Sequence, residues 1–260
     1  MTNRRKGAPG GRGNGPGRGG AAGRGDAAGR GGGTARGGAG RRRPLPFGWV
    51  SVFAVVALLA AGLVGWAVYA SQTADGDFPV PTPVTADDSG LVDGAGPVTV
   101  EIWLDPHCPH CATFEQEAGT TLDRLVADGE ITRVVHPVSF LDRASTTGYS
   151  TRASASVGCA ADAGMHPPYV RELLARQPPS GGAGLSDDEL IEVAIAAGIT
   201  GSDFGDCVES GRYRDWVGYV TARAAEQGVT ATPTVRVNGA DVPATAETVR
   251  DAVAAAGEGS

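Results

Sequence analysis

Lysine is all but missing from this 260-residue chain, in which Lys6 stands alone. From Ser71 onward 11 arginines face 28 acidic residues, a net charge of −17 that disfavours nucleic acid and anionic lipid as partners of this part. Aromatic residues make up only 6% of the chain, and none falls in residues 1–46. Those 46 residues also have few apolar side chains, 17 glycines and a net charge of +10. So little apolar surface cannot offset the entropy of ordering the backbone, and residues 1–46 are expected to form a disordered basic tail. A Gly-Arg tract binds RNA through charge and stacking together; without aromatics this one reads as a solvated tail, and no nucleic-acid partner is expected. The two charge blocks, which give −7 overall, do not belong to one folded body.

Charge of either sign is absent from Phe47 to Ala70 (FGWVSVFAVVALLAAGLVGWAVYA), a run of 24 residues. As a helix rising ~1.5 Å per residue it would span ~36 Å, enough to cross a bilayer with some tilt. Trp49, Trp66 and Tyr69 lie near its ends, where interfacial aromatics belong, and Arg41-Arg42-Arg43 precedes it. Residues 47–70 are therefore expected to be a single-pass transmembrane signal anchor in the cell membrane, with the N-terminus cytoplasmic and the remainder extracytoplasmic. Val68-Tyr69-Ala70 offers small residues for signal cleavage, but the apolar run and the leader are long for a signal peptide. Residues 71–96 mix Pro, Asp, Ser and Gly and read as a linker. Residues 97–257 remain for one domain, long enough to build a proper core.

Cysteine is scarce: the four residues are Cys108, Cys111, Cys159 and Cys207, all beyond the apolar run. An even number outside the cytoplasm favours disulfide chemistry. Val98 to Leu104 alternates apolar and polar positions as a strand does, and Asp105-Pro106 breaks it. From Cys111, Phe114, Ala118, Leu122, Leu125 and Val126 recur at helical spacing, and Ile131 to Val138 reads as a second strand. This βαβ unit places Cys108-Pro109-His110-Cys111 at the N-terminus of its helix. Residues 142–228 look helical throughout, with Ser186-Asp187-Asp188-Glu189 as a capping box. Thr234 to Val237, the turn Asn238-Gly239 and a short strand over Ala240 to Val242 form a hairpin, and Thr245 caps a last helix over Ala246 to Ala256.

A thiol attacks only as thiolate, and a helix N-terminus favours that anion, so Cys108 is the candidate nucleophile. His110 can add a donor or a positive charge to the same sulfur, and Cys111, one turn deeper, is the candidate resolving thiol. The alternative assigns His107, Cys108, His110 and Cys111 to copper or zinc in a non-catalytic envelope protein. Ligands packed this closely leave little chain to wrap around an ion, and His136 and His166 stand apart, so no metal site is expected. Far along the chain, Gly228 to Gly239 (GVTATPTVRVNG) puts Pro233 directly before a strand.

Strand, CPHC, a helical stretch and the GVTATPTVRVNG loop together resemble the DsbA-like thiol-disulfide oxidoreductases of the thioredoxin superfamily, over about Pro97 to Gly257. The resemblance implies an α/β thioredoxin fold with an inserted helical subdomain, here preceded by a single transmembrane helix. It implies that Cys108 attacks and Cys111 resolves, and that Pro233 is cis with Thr232 contacting substrate. The expected partners are reduced exported proteins and a quinone-linked membrane partner that recycles the dithiol; no cofactor is expected. Thr before the proline also occurs in reductase and isomerase relatives, so the oxidising direction rests on His110. No segment is spare for a dimerisation module, and a monomer is expected. Cys159 and Cys207, both in the helical stretch, are expected to form a structural disulfide rather than two buried free thiols. Trp103, Trp216 and Tyr219 read as core or groove-lining residues.

Overall fold

The computed structural model describes residues 78–258. The expected basic tail, the expected membrane span and the first seven residues of the expected linker, 71–77, lie outside them. Among the described residues no helix is long and apolar enough to cross a membrane.

Five strands form one mixed sheet: β1 (Leu91–Gly94), β2 (Val98–Leu104), β3 (Ile131–Pro137), β4 (Thr234–Val237) and β5 (Ala240–Val242), in the order β1-β3-β2-β4-β5. Only β2 and β3 pair in parallel, Val98 opposite Ile131 through Leu104 opposite Pro137, which is what the crossover helix between them requires. That helix is α1 (Pro109–Ala127), with Phe114, Ala118 and Leu122 buried at the predicted helical spacing. Five more helices follow β3: α2 (Tyr149–Asp162), α3 (His166–Ala175), α4 (Asp187–Ala196), α5 (Ser202–Ser210) and α6 (Arg214–Glu226). They form the expected insertion, entered through a single 3-10 turn at Asp142–Ala144. The chain returns through the β4–β5 hairpin to α7 (Ala246–Gly257), which packs on α1, β2 and β4.

Local chemistry accounts for the element ends. Ser186 Oγ accepts from Glu189 N while Glu189 reaches back to Ser186 N, the capping box predicted for α4. Thr245 Oγ1 accepts from Thr248 N at the start of α7. In the β4–β5 turn Asn238 takes φ of 46° and its side chain accepts from Thr99 N, tying the hairpin to β2. Cys159 on α2 is bonded to Cys207 on α5 with Cα atoms 5.9 Å apart, the pairing the sequence led us to expect.

One boundary is corrected. The expected linker over 71–96 does not extend to residue 96, because residues 78–96 belong to the fold. β1 pairs antiparallel with β3, Leu91 opposite Val135, and Leu91 is wholly buried. Trp216 Nε1 donates to Asp88 O, Tyr219 Oη donates to Asp87 O, and Phe78 packs against the Tyr219 ring. A segment rich in Pro, Asp and Gly is ordered here by partners on α6, some 130 residues away, which composition cannot reveal.

Candidate active site

β2 delivers the chain to the centre of the sheet, and Asp105-Pro106 turns it into α1. Pro109 stands in the first turn of α1, where its missing N–H costs nothing, and Cys108 is the N-cap with φ −84° and ψ 115°. Cys108 N donates to Asp105 O, and Cys111 N and Ala112 N donate to Cys108 O. The candidate nucleophile thus sits over the unpaired N–H groups that begin a 19-residue helix. Both cysteines are free thiols, and Cys108 is only 5% exposed. The Cys108 Sγ–H donates to Thr232 O at 3.2 Å, across the cis Thr232–Pro233 peptide bond. Residues 124 apart in sequence therefore meet at one sulfur.

The two thiols have opposite electrostatics. Cys108 is pulled down to about 5, first by the hydrogen bond from the Cys111 thiol, then by one from the Thr232 side chain and by the backbone N–H groups of Cys111 and His110, all against burial. Cys111 is pushed well above the usual thiol range, first by burial and then by Cys108 itself. His110 supplies its backbone N–H to this arrangement, whereas its side chain is exposed. The expectation that the imidazole adds a donor or a positive charge to the sulfur is taken up as a prediction below. Pro109 is likewise exposed.

His107 points the other way. It is buried edge-on against the Tyr149 ring, centroids 5.2 Å apart, and neither ring nitrogen has a hydrogen-bond partner. With His107 inside and His110 outside, the four side chains of the metal reading do not converge. Among the described residues no group of three or more His, Cys, Asp or Glu could hold a metal ion.

Four site residues escaped sequence reasoning. Asp105, fully buried, accepts from His107 N and Leu141 N at 2.8 Å each and from Ser150 Oγ at 2.7 Å. Burial raises its carboxyl despite these three donors. The only signal was an Asp two residues before a histidine, the spacing of a side-chain-to-backbone turn. Gln177, just past α3, donates from Nε2 to Pro106 O and Cys108 O, each at 2.8 Å. Glu115 lies one helical turn beyond Cys111; burial raises its carboxyl, and Arg171 Nε stands 3.3 Å from it. A cavity of about 10 Å3, room for one water, is lined by Cys111, Glu115, Ile102, Phe114 and Arg133, among others. Arg133 itself is 5% exposed and bridges Asp93 and Asp123. Trp103, by contrast, is packing: its ring stacks on His136 at 4.4 Å, and the Arg236 guanidinium lies over it.

Comparison with known proteins agrees with this geometry. The thioredoxin family profile matches residues 93–255. The chain is 33% identical to oxidised DsbA of Mycobacterium tuberculosis, covering 58% of this chain and 84% of that one with a TM-score of 0.52. It is also 33% identical to the reduced disulfide bond oxidoreductase DsbG of the same organism, covering 64% and 76% with a TM-score of 0.50. Among curated proteins it is 31% identical over 122 residues to the serine/threonine-protein kinase PknE of M. tuberculosis, 44% of this chain but only 21% of that protein's length. A dithiol at the head of the first helix, the proline loop facing it and these likenesses place the chain in the thioredoxin family, among its DsbA-like thiol-disulfide oxidoreductases.

Proposed function

We propose that this protein is a membrane-tethered, extracytoplasmic oxidase that donates the Cys108–Cys111 disulfide to reduced exported proteins. The observation that carries the reading is the opposition of the two thiols, Cys108 held near 5 and Cys111 far above the ordinary range. Stabilising the Cys108 thiolate stabilises the reduced protein, and that makes the disulfide form a strong oxidant.

In the forward reaction a substrate thiolate attacks the Cys108 sulfur of the disulfide. The Cys108–Cys111 bond breaks, its electron pair leaves on Cys111, and Cys111 takes up a proton. The raised carboxyl of Glu115, lining the same cavity, is suited to give that proton and to take it back when the disulfide is re-formed. A second substrate thiolate then attacks the substrate sulfur of the mixed disulfide, and Cys108 departs as the better leaving group. Two substrate thiols lose two electrons, which the protein dithiol gains. The backbone at Thr232, beside Cys108, offers an edge for an extended peptide. Re-oxidation would fall to a quinone-linked membrane partner, and the protein would work as a monomer without a cofactor, tethered by residues 47–70 with its N-terminus in the cytoplasm.

A second reading is a reductase or isomerase of the same fold, favoured by the threonine before Pro233. The reduction potential separates the two. A value near −120 mV, as in strong oxidants of this fold, supports the proposal, and one near −270 mV, as in thioredoxin, refutes it.

A further inference from the structure

Thiol exchange as written above gives Gln177 no task, yet Gln177 holds the active-site turn. It belongs to the insertion, in the stretch between α3 and α4, and its Nε2 donates to Pro106 O and to Cys108 O at 2.8 Å each. A side-chain amide nitrogen carries two hydrogens, so both are spent on these carbonyls. The two carbonyls belong to the peptide units on either side of His107 and Cys108. Between those pinned planes the only soft torsions are the φ and ψ of His107 and Cys108. An N-cap residue is half outside its helix, so the helical hydrogen-bond ladder alone does not fix those torsions.

We infer that Gln177 is a positioning residue for the nucleophile: by clamping the peptide units on either side of the His107-Cys108 pair, it keeps the Cys108 sulfur over the N-terminus of α1 and beside Thr232. The clamp and the Asp105 carboxylate act on the same turn from different elements, since Asp105 Oδ1 accepts from His107 N within it. Without the clamp, rotation at Cys108 carries the sulfur away from the donors that favour its anion. A carboxylate in place of the amide would do more harm, because it repels both carbonyls and sets a negative charge beside a thiolate. The insertion is thereby coupled to the reactivity of the dithiol through a single side chain.

This inference rests on the reading of Cys108 as a stabilised thiolate, and the test separates the two. Gln177→Met keeps the length and removes the donors; Gln177→Glu keeps the shape and inverts the charge. The full chain, purified in detergent with Cys108 and Cys111 reduced, is titrated by thiolate absorbance and by the pH dependence of alkylation at Cys108. Its potential is read against glutathione, and melting checks that each variant folds. The expected result is a Cys108 pKa about one unit higher in Q177M, a tenfold smaller thiolate fraction below both values, with a larger shift in Q177E and a less oxidising potential in both. A residue that merely packs would lower melting and leave pKa and potential in place, so that result overturns the inference. Should one variant fail to fold, the other decides. If the unaltered protein itself titrates near pH 8 or above, the thiolate reading falls and the role of Gln177 falls with it. If it titrates near 5 and both variants match it, the role of Gln177 alone is refuted.

Discussion

The Cys108 sulfur lies 3.2 Å from the carbonyl oxygen of Thr232, so the candidate nucleophile and the loop expected to seat its substrate are in direct contact. On the proposed reading, a peptide that pairs with the backbone at Thr232 is thereby brought to the sulfur that receives its thiolate.

His110 acts on Cys108 through its backbone N–H, and the side-chain exchange His110→Ala should leave most of the depression of Cys108 intact. His110→Pro removes the N–H itself, in the first turn where proline is tolerated, and should raise the Cys108 pKa by about one unit more than the alanine does. Alkylation rates across pH 4 to 8 measure both. An alanine variant that titrates as high as the proline variant would return the effect to the imidazole.

Stability should follow the redox state with a defined pH window. Cys108 has a folded value of about 5, below an unfolded thiol value of about 8.5. A lowered value adds stability that is complete above the unfolded pKa and is lost as pH falls through the folded one. At pH 7 this favours the reduced protein by about 2 kcal/mol once solvent screening is allowed for. Cys111, with a raised value, begins to work against the reduced fold above about pH 8.5. The reduced form should therefore melt above the oxidised form at pH 7, and the gap should close at pH 4. Calorimetry of both forms, with Cys159–Cys207 intact, checks the order; an oxidised form that melts higher at pH 7 contradicts the oxidase reading.

The Cys159–Cys207 bond spans a sequence separation of 48 and should contribute about 4 kcal/mol by restricting the unfolded chain. The double exchange Cys159→Ser, Cys207→Ser should lower the midpoint of urea unfolding accordingly and still oxidise a reduced peptide. Loss of activity in a variant that remains folded would give the bond a part in the chemistry.

Glu115→Gln should leave alkylation of Cys108 unchanged while slowing closure of the Cys108–Cys111 disulfide from a mixed disulfide, by about 100-fold at neutral pH. Rapid quenching and mass measurement of the mixed disulfide follow this directly. An unchanged closure rate would show that Cys111 exchanges its proton with another group.

Gly184 has φ of +76°, and a Cβ there would lie 2.4 Å from Cγ of the buried Tyr149 ring. Gly184→Ala should cost about 2 kcal/mol or more, from strain and displacement of that ring together. Gly181, with φ of +88° and nothing within 4 Å of its would-be Cβ, carries only the backbone part of that penalty. Denaturant midpoints of G184A and G181A should differ by the ring contact; equal midpoints would mean that Tyr149 yields.

The parts of the fold that were legible in the sequence are those governed by local pattern. Val98, Val100, Ile102 and Leu104 alternate along β2, Phe114, Ala118 and Leu122 recur along α1, and Ser186 with Glu189 closes a capping box. Cys108 and Cys111 were legible because their spacing sits between those two periodic elements. Strand β1 was not, since a strand of four residues has little period, and its order comes from β3 and α6. Asp105, Gln177 and Glu115 were not, because each acts through a partner that only the folded chain brings near. In sequence Asp105 reads as a strand breaker; in the fold it is the acceptor on which three segments meet.

That last arrangement bears on modularity. The helical stretch between β3 and β4 looks like an addition to a smaller thioredoxin core, something a protein engineer would think to excise or exchange. Yet two of the three groups bonded to Asp105, Leu141 N and Ser150 Oγ, come from that stretch, and only His107 N comes from the core turn. A trimmed version, with β3 spliced to the GVTATP loop, would keep both cysteines and leave a buried carboxylate stripped of most of its donors under the nucleophile. Such a chain would sooner unfold around the dithiol than work as a minimal enzyme, so core and addition must be inherited, and transplanted, as one piece.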